Sequence, residues 1–218
     1  MNLVKSVVVA LSLAAAAPAT AATVTVSAQP NAFSTGISAS YGMGNVYAGT
    51  FNLNADYGDG VIKPFVAFCL SPFTWLNLNV PYVKGTMFSD LTGKTIKQLS
   101  ALANGAWQTT WTNDTAGAFQ LAAWEIVSET KKDLNLGTGT FVATASSTTA
   151  YDTAQDWLAS VANHSFSSAP SGIAILSAEN TQDLLTYDPL APVPVPGALG
   201  LLAAGLAAFA AMGRKRRA

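Results

Sequence analysis

Apolar and polar residues alternate along the first part of the chain, which is the period of a half-buried β-strand. Residues 46–55 follow it most clearly, with tyrosine, phenylalanine and leucine on one face and threonine and asparagine on the other. Residues 24–28 predict a shorter strand. Residues 29–38 contain Pro30 and Gly36, which interrupt the alternation, so we predict a loop there.

The next segment is apolar on both faces. Residues 61–70 therefore predict a central or well-covered strand that ends at Cys69, with Phe65 and Ala67 on the same face as the cysteine. The aspartates and glycines of residues 56–60 predict the turn before this strand. A calcium loop is the alternative, but these acidic residues do not match the spacing of an EF-hand, and we predict no metal site.

The middle of the chain changes to a helical period. Residues 95–106 predict one helix, and Asn113 and Asp114 are good N-cap residues for a second. The second helix is apolar on most of its surface, so it should be buried and should take Gln120 into the core. A buried amide must be hydrogen-bonded or chemically consumed. Residues 152–162 predict a third helix.

The remaining apolar segments are short and lie between breaks rich in glycine, proline, serine and threonine. They predict further strands in residues 80–88, 141–145, 172–178 and 181–187. The predicted fold class is α+β, with an antiparallel β-sandwich or barrel-like strands that carry a helical insertion.

The two ends of the chain differ from its middle. Residues 1–22 combine one lysine, an apolar stretch and small residues at a cleavage spacing, which predicts a secretory signal peptide. Residues 189–196 are a proline-rich spacer. After them come about 17 residues without charge and then Arg214-Lys215-Arg216-Arg217, a pattern typical of a transmembrane helix with a cytoplasmic end.

Residues 193–218 resemble the PEP-CTERM sorting segment of Gram-negative bacteria, which joins a proline-containing motif, a short transmembrane helix and an arginine-rich end. The chain departs from the namesake motif at Val195-Pro196-Gly197. The resemblance implies an exosortase-type membrane protease as a partner. It also implies transient anchoring in the inner membrane before release to the cell surface, outer membrane or extracellular matrix. A permanent membrane anchor has the same hydropathy pattern and remains the alternative.

Without its two ends the chain is distinctly acidic, which argues against nucleic acid as a partner. The sequence suggests no cofactor. Its single cysteine cannot form an intramolecular disulfide, and an odd thiol in an exported protein needs an explanation. Cys69 is a buried inert residue, an intermolecular partner or a reactive thiol, and burial alone favours the inert residue.

The reactive alternative couples Cys69 to Gln120. If the two residues meet, the thiol can displace the glutamine amide and form an internal thioester. Contact between the two groups lowers the barrier by roughly 7–11 kcal/mol as an entropy effect. Phe68, Phe119 and Trp124 flank the pair in sequence and could exclude water, which would otherwise hydrolyse the thioester.

The motifs Phe68-Cys69-Leu70 and Phe119-Gln120-Leu121-Ala122-Ala123-Trp124 resemble those of the thioester domains of bacterial surface adhesins. The resemblance covers roughly residues 61–129 and places the domain in residues 23–188. It implies a crosslink between the cysteine and the glutamine, with the tryptophan as a shielding residue. It also implies adhesion or biofilm-matrix attachment through acylation of a surface amine. The short separation of the motifs departs from these adhesins.

Three alternatives remain. The pair could be structural, with an inert cysteine. Cys69 and the only histidine, His164, could form a hydrolase dyad, although nothing in the sequence orients the imidazole. Trp75, Trp107 and Trp111 could bind carbohydrate, such as a matrix exopolysaccharide. Since the thioester is used once per molecule, we expect a protein that is not an enzyme.

Overall fold

The computed structural model describes residues 23–41, 44–72, 74–85, 91–130, 133–169 and 172–187. The predicted signal peptide, proline-rich spacer and C-terminal sorting segment lie outside these ranges. Among the described residues, no helix has both the length and the hydropathy that a membrane span requires.

Nine strands and three helices occupy the described residues. In chain order they are β1 (Thr23–Ala28), β2 (Gly36–Tyr41), β3 (Gly44–Gly49), β4 (Phe51–Asp56), β5 (Ile62–Cys69), β6 (Pro81–Gly85), α1 (Gly93–Ala106), α2 (Asn113–Ser128), β7 (Ala143–Ala145), α3 (Thr148–Ala162), β8 (Ile173–Ser177) and β9 (Leu184–Tyr187).

Six of the strands close into an antiparallel barrel in the order β1-β4-β5-β9-β8-β6. The other three form a small antiparallel sheet in the order β3-β2-β7. The helices enter the chain between β6 and β8, so they form the helical insertion that the sequence predicts. The fold is therefore mixed α and β, and the barrel is the correct one of the two predicted arrangements.

The sequence prediction was wrong for part of the segment that precedes the turn at residues 56–60. Residues 46–55 are two strands in different sheets, and residues 36–38, the end of the predicted loop, are the start of β2. The chain changes sheet at Thr50, whose N–H donates to the Thr35 carbonyl (2.9 Å). A Cβ on Gly49 would lie 2.2 Å from the Thr35 carbonyl oxygen. Only glycine permits this close approach, which ends one strand and starts the next.

Strand β5 is covered on both faces only where it approaches Cys69, whereas residues 61–64, which the apolar pattern predicts to be covered, are exposed. Residues directly opposite each other in antiparallel strands share a face, and β4 pairs Leu53 with Phe65 and Phe51 with Ala67. The alternate residue, Phe68, is fully buried on the other face. The strand therefore carries Cys69 into the core of the domain.

Threonine and serine side chains start the three helices. Thr92 accepts the Thr95 N–H (3.1 Å), and Ser147 accepts the Ala150 N–H (3.2 Å). The second helix begins after Thr112 rather than after the predicted Asn113 or Asp114. Thr112 accepts the Thr115 N–H (3.2 Å), and the Thr115 hydroxyl accepts the Thr112 N–H (3.0 Å), a reciprocal cap.

Helix α2 is the central element of the insertion. It packs against the other two helices and against β2, β3 and β5, and every residue from 116 to 126 is buried. Gly117 permits the contact with β2, because a Cβ there would lie 2.5 Å from Cγ1 of Ile37. The prediction that this helix carries Gln120 into the core is confirmed.

Candidate functional site

Cys69 is the last residue of β5 and is 1% exposed. It pairs with Leu184 of β9, and Leu70 N–H then donates to the Asp183 carbonyl (2.8 Å). These bonds fix the backbone on both sides of the cysteine. The thiol is therefore held in the core, without access to solvent.

Gln120, from the middle of α2, reaches the same point and is also 1% exposed. Its Oε1 accepts the backbone N–H of Cys69 at 2.9 Å, and its Nε2 donates to the Cys69 carbonyl oxygen at 2.7 Å. The side-chain amide thus bridges the peptide groups on either side of the cysteine. The structure brings together the two residues that the sequence singles out, although they are 51 positions apart.

One aromatic cluster contains the two residues that directly precede Cys69 and Gln120 in the sequence. Phe68 and Phe119 lie with their ring centroids 4.4 Å apart. Trp107 and Trp111 pack edge-on against Phe68 at 5.5 Å and 4.9 Å. Both phenylalanines are fully buried, and they join the two tryptophans in one apolar cluster, which we call the Phe68 cluster.

A second cluster contains the third predicted shielding residue. Trp124 lies one helical turn after Gln120, and its ring packs against Tyr41 at 5.7 Å and Phe141 at 6.4 Å. The indole Nε1 is buried, with no oxygen or nitrogen acceptor among the described residues. The indole lies near the sulfur of Cys69, and their interaction lowers the pKa of the thiol. The Tyr41 hydroxyl donates to the Pro72 carbonyl.

The thiol is electrically neutral in this environment. Burial is the main cause that raises the pKa of Cys69 to about 12, and the negative charge of Asp183 adds to it. The Trp124 indole and the backbone at Ser71 act in the opposite direction but are weaker. Burial, and then the charge of a Cys69 thiolate, raises the pKa of Tyr41 to about 12. A thiolate at Cys69 therefore has no cationic partner among these groups.

The arrangement can nevertheless polarise the glutamine amide. When a sulfur atom adds to Cδ of Gln120, negative charge develops on Oε1, and Oε1 already accepts the Cys69 N–H. A donor aimed at the developing oxyanion in a dry site is a strong form of transition-state stabilisation. The buried aromatic surroundings also exclude the water that would compete with the thiol.

The other residues named from the sequence lie elsewhere. His164 is exposed just after α3, whereas Cys69 is buried, and no histidine is among the groups that shift the pKa of Cys69. Trp75 is 89% exposed. Asp56 and Asp59 accept the N–H groups of Gly58 (2.7 Å) and Val61 (3.0 Å) as turn residues. Within the described ranges, no group of three or more metal-ligating side chains occurs.

Sequence reasoning missed Tyr41 and Phe141. Tyr41 ends β2, whose first residues, 36–38, fall in the predicted loop, although Ile37, Ala39 and Tyr41 do alternate with polar residues. Phe141 was placed at the start of a possible strand and not near the pair. Its ring lies 5.2 Å from that of Tyr41, and it is buried. The alternation in β2 is the one signal that could have identified Tyr41 as a core residue.

Comparisons with known proteins return thioester domains among solved structures. One is the N-terminal thioester domain of fibronectin-binding protein SfbI from Streptococcus pyogenes, with 16% identity and a TM-score of 0.41, covering 75% of this chain and 98% of that one. Another is the thioester domain of the Staphylococcus aureus TIE protein, with 12% identity and a TM-score of 0.39, covering 78% and 80%. No family model and no curated protein matches the chain. Because both identities are low, the role of the Cys69–Gln120 pair depends on the geometry of this chain.

Proposed function

We propose that Cys69 and Gln120 form an internal thioester and that the protein uses it to attach covalently to a surface amine. The Cys69 sulfur adds to Cδ of Gln120, a bond from Sγ to Cδ forms, and the bond from Cδ to Nε2 breaks. The thiol proton leaves with Nε2 as ammonia. The products are one thioester and one ammonia, so no oxidant or cofactor is consumed.

The paired hydrogen bonds between the Gln120 amide and the Cys69 backbone carry this proposal. They hold the carboxamide against the residue that bears the thiol, and they point its carbonyl oxygen at an N–H donor. Proximity makes the main contribution to lowering the barrier, because the raised pKa keeps the fraction of thiolate small. The surrounding rings favour survival of the product, since they keep water from the acyl carbon.

The second step transfers the acyl group. A neutral primary amine, such as a lysine side chain on the target, attacks Cδ of Gln120 and forms an amide. The bond to sulfur breaks, and Cys69 regains its proton as a free thiol. Each molecule reacts once, so the protein is an adhesin rather than an enzyme.

The ends of the chain set the place of action. The signal peptide in residues 1–22 exports the domain of residues 23–188, and residues 193–218 hold it in the inner membrane of a Gram-negative bacterium until an exosortase-type protease cuts the tail. Exposure on the surface or in the biofilm matrix then gives the thioester access to amines. These steps rest on sequence patterns alone.

Intact-mass spectrometry of the purified full chain tests the first step. We expect the mass to be lower than that of the sequence by one ammonia, after any removal of the ends is accounted for. Cys69→Ala and Gln120→Ala should each restore the full mass. Methylamine should add its own mass to the native chain and release one titratable thiol. A native chain with the full mass and a free thiol in denaturant would refute the proposal.

A second function is favoured by the electrostatics of the pair. Burial keeps Cys69 protonated, and both polar groups of the Gln120 amide already have partners. These features also suit an inert cysteine in a protein that binds a matrix polysaccharide without covalent chemistry. The same mass measurement separates the two functions, because an inert pair loses no ammonia.

A further inference from the structure

A cavity of about 400 Å³ opens on the barrel, on the side of the Phe68 cluster. Its volume lies in the range of sites that bind small molecules, roughly 300–1,000 Å³. The six lining residues that matter here are Tyr57, Lys63, Lys84, Trp107, Trp111 and Tyr187. We refer to this cavity as the barrel groove.

The end of the barrel groove at Lys63 lies away from the Cys69–Gln120 pair. Lys63 pairs with Ala55 near the start of β5, and both line the groove, whereas Cys69 ends the same strand. Six residues of extended chain separate Lys63 from Cys69, which corresponds to about 20 Å. The tryptophans of the groove contact Phe68 but have no interaction with the thiol that shifts its pKa. The groove can therefore act whether or not a thioester forms.

Aromatic rings form one wall of the groove. Trp107 lies 5.6 Å from Tyr187 with an angle of 33° between the rings, and 5.6 Å from Trp111 with an angle of 85°. The rings of Trp107 and Tyr187 are therefore tilted only moderately, and the ring of Trp111 stands nearly perpendicular to that of Trp107, so the three rings form a corner. Tyr187 is 37% exposed, so part of its surface is open to a ligand. A ring face presents a flat apolar surface on which the CH groups of a sugar can pack.

The charged residues that line the groove are two lysines, Lys63 and Lys84. No aspartate or glutamate lines it within the described part of the chain. This is unexpected in a chain whose twelve acidic residues all lie between its two basic ends. Lys63 also lies over the ring of Tyr57, with Nζ 5.3 Å from the centroid, so its ammonium is held at the groove. An anionic ligand fits this lining better than a neutral or cationic one.

We propose that the barrel groove binds an acidic polysaccharide, with sugar rings packed on Tyr187 and the tryptophans and a carboxylate facing Lys63. An acidic peptide would match the lysines but would not use the flat aromatic corner. The target amine that attacks the thioester would be repelled by the positive charge of the groove as long as that amine is protonated. Non-covalent capture of a matrix polysaccharide would therefore complement covalent attachment without depending on it.

Binding of oligogalacturonate to the full chain, measured by isothermal titration calorimetry, tests the proposal. Lys63→Glu should weaken binding by about tenfold or more, because it replaces attraction with repulsion. Its control is Lys97→Glu, which makes the same charge change at an exposed residue of α1. Tyr187→Ser should weaken binding by roughly tenfold. Its control is Tyr47→Ser, since Tyr47 is 38% exposed and lies outside the groove.

Three further binding measurements test which ligand the groove prefers and whether binding depends on the thioester. A neutral maltooligosaccharide of the same length and a poly-glutamate peptide should both bind at least about tenfold more weakly than oligogalacturonate. The Cys69→Ala variant should bind as well as the native chain, so a failed thioester leaves this result intact. Equal binding of poly-glutamate, equal effects of lining and control substitutions, or no binding of oligogalacturonate would each overturn the proposal. Circular dichroism verifies that each variant is folded.

Discussion

The side-chain amide of Gln120 spans Cys69, accepting its N–H through Oε1 and donating to its carbonyl through Nε2. Cys69 is the last residue of β5, and here a helix rather than a neighbouring strand supplies these two partners. The bridge therefore joins the helical insertion to the barrel at the residue that carries the thiol. It has consequences for stability that are independent of any covalent bond.

Removing the bridge should destabilise the fold even when no thioester can form. In a Cys69→Ala chain, Gln120→Leu keeps the volume of the side chain but leaves a buried N–H and a buried carbonyl without partners. We expect the free energy of unfolding, from urea denaturation, to fall by about 2–4 kcal/mol. Gln98→Leu, at a half-buried position of α1, is the control and should change it by no more than about 0.5 kcal/mol. Equal effects of the two substitutions would show that the bridge contributes nothing.

Burial of a neutral thiol should make the fold sensitive to high pH. The pKa of Cys69 is about 12 in the folded chain, against about 8.5–9 when unfolded, so the unfolded state loses its proton first. The stability that this group contributes is complete below the unfolded pKa and is lost as the pH rises towards 12. The expected slope is about 1.4 kcal/mol per pH unit above pH 9.

The measurement needs a chain in which the thiol is free. Gln120→Leu cannot form a thioester, and Gln120→Leu with Cys69→Ala lacks the thiol as well. The difference between their unfolding free energies should shrink between pH 9 and the onset of alkaline unfolding. A difference that is independent of pH would contradict a buried, protonated thiol. A thiol reagent should also modify the single variant only in denaturant.

The elements of the site could be predicted from local periodicity, because helix α2 buries most of its surface and strand β5 buries the end that carries Cys69. Their contact could not, because Cys69 and Gln120 are 51 residues apart and many packings of the same elements keep both buried. The missing β2 has a similar cause. Its Ile37 and Tyr41 alternate with polar residues, but the glycine that begins it suggests a loop until pairing with β3 is known.

The start of α2 shows a limit of a different kind. Thr112, Asn113 and Asp114 are all good N-cap residues, so composition cannot choose among them. The choice is made by Thr115, whose hydroxyl returns a hydrogen bond to the Thr112 backbone. The aromatic cluster around Trp124 could not be predicted either, because the contacts of Tyr41 and Phe141 with Trp124 depend on the pairing of β2 with β7.

Glu125 should make the protein more stable in mild acid than in weak base. Its side chain is completely buried, Oε1 accepts the Asn135 N–H (2.7 Å), and Oε2 has no hydrogen-bond partner among the described residues. Burial is the main cause that raises its pKa to about 7. The Asn135 hydrogen bond lowers the pKa, and the charge of Glu129 raises it. The unfolded carboxyl ionises near pH 4.5, so stability is lost as the pH rises from there to about 7.

Glu125→Gln removes this titration and keeps the oxygen that accepts the Asn135 N–H. Unfolding free energies at pH 5 and pH 8 should differ by about 1–3 kcal/mol more in the native chain than in the variant. Glu179→Gln, which changes an exposed carboxylate just after β8, is the control and should leave the native difference in place. The hypothesis fails if Glu125→Gln has the same pH dependence as the native chain.

The contact between α2 and β2 should tolerate no added methyl group. A Cβ on Gly117 would meet Cγ1 and Cδ1 of Ile37 at 2.5 Å and 2.7 Å, and both residues are in the core. Gly117→Ala should therefore lower the free energy of unfolding by about 1–3 kcal/mol, although alanine is the better helix former. Gly93→Ala, at the start of α1, has no atom within 4 Å of the new Cβ and should raise it by up to about 1 kcal/mol. Opposite signs in thermal denaturation of the two variants would support this packing, and stabilisation by Gly117→Ala would exclude it. Thioester formation, measured by the loss of ammonia, gives a second test. If Gly117→Ala slows it while Gly93→Ala does not, the packing of α2 against β2 controls the approach of Gln120 to Cys69.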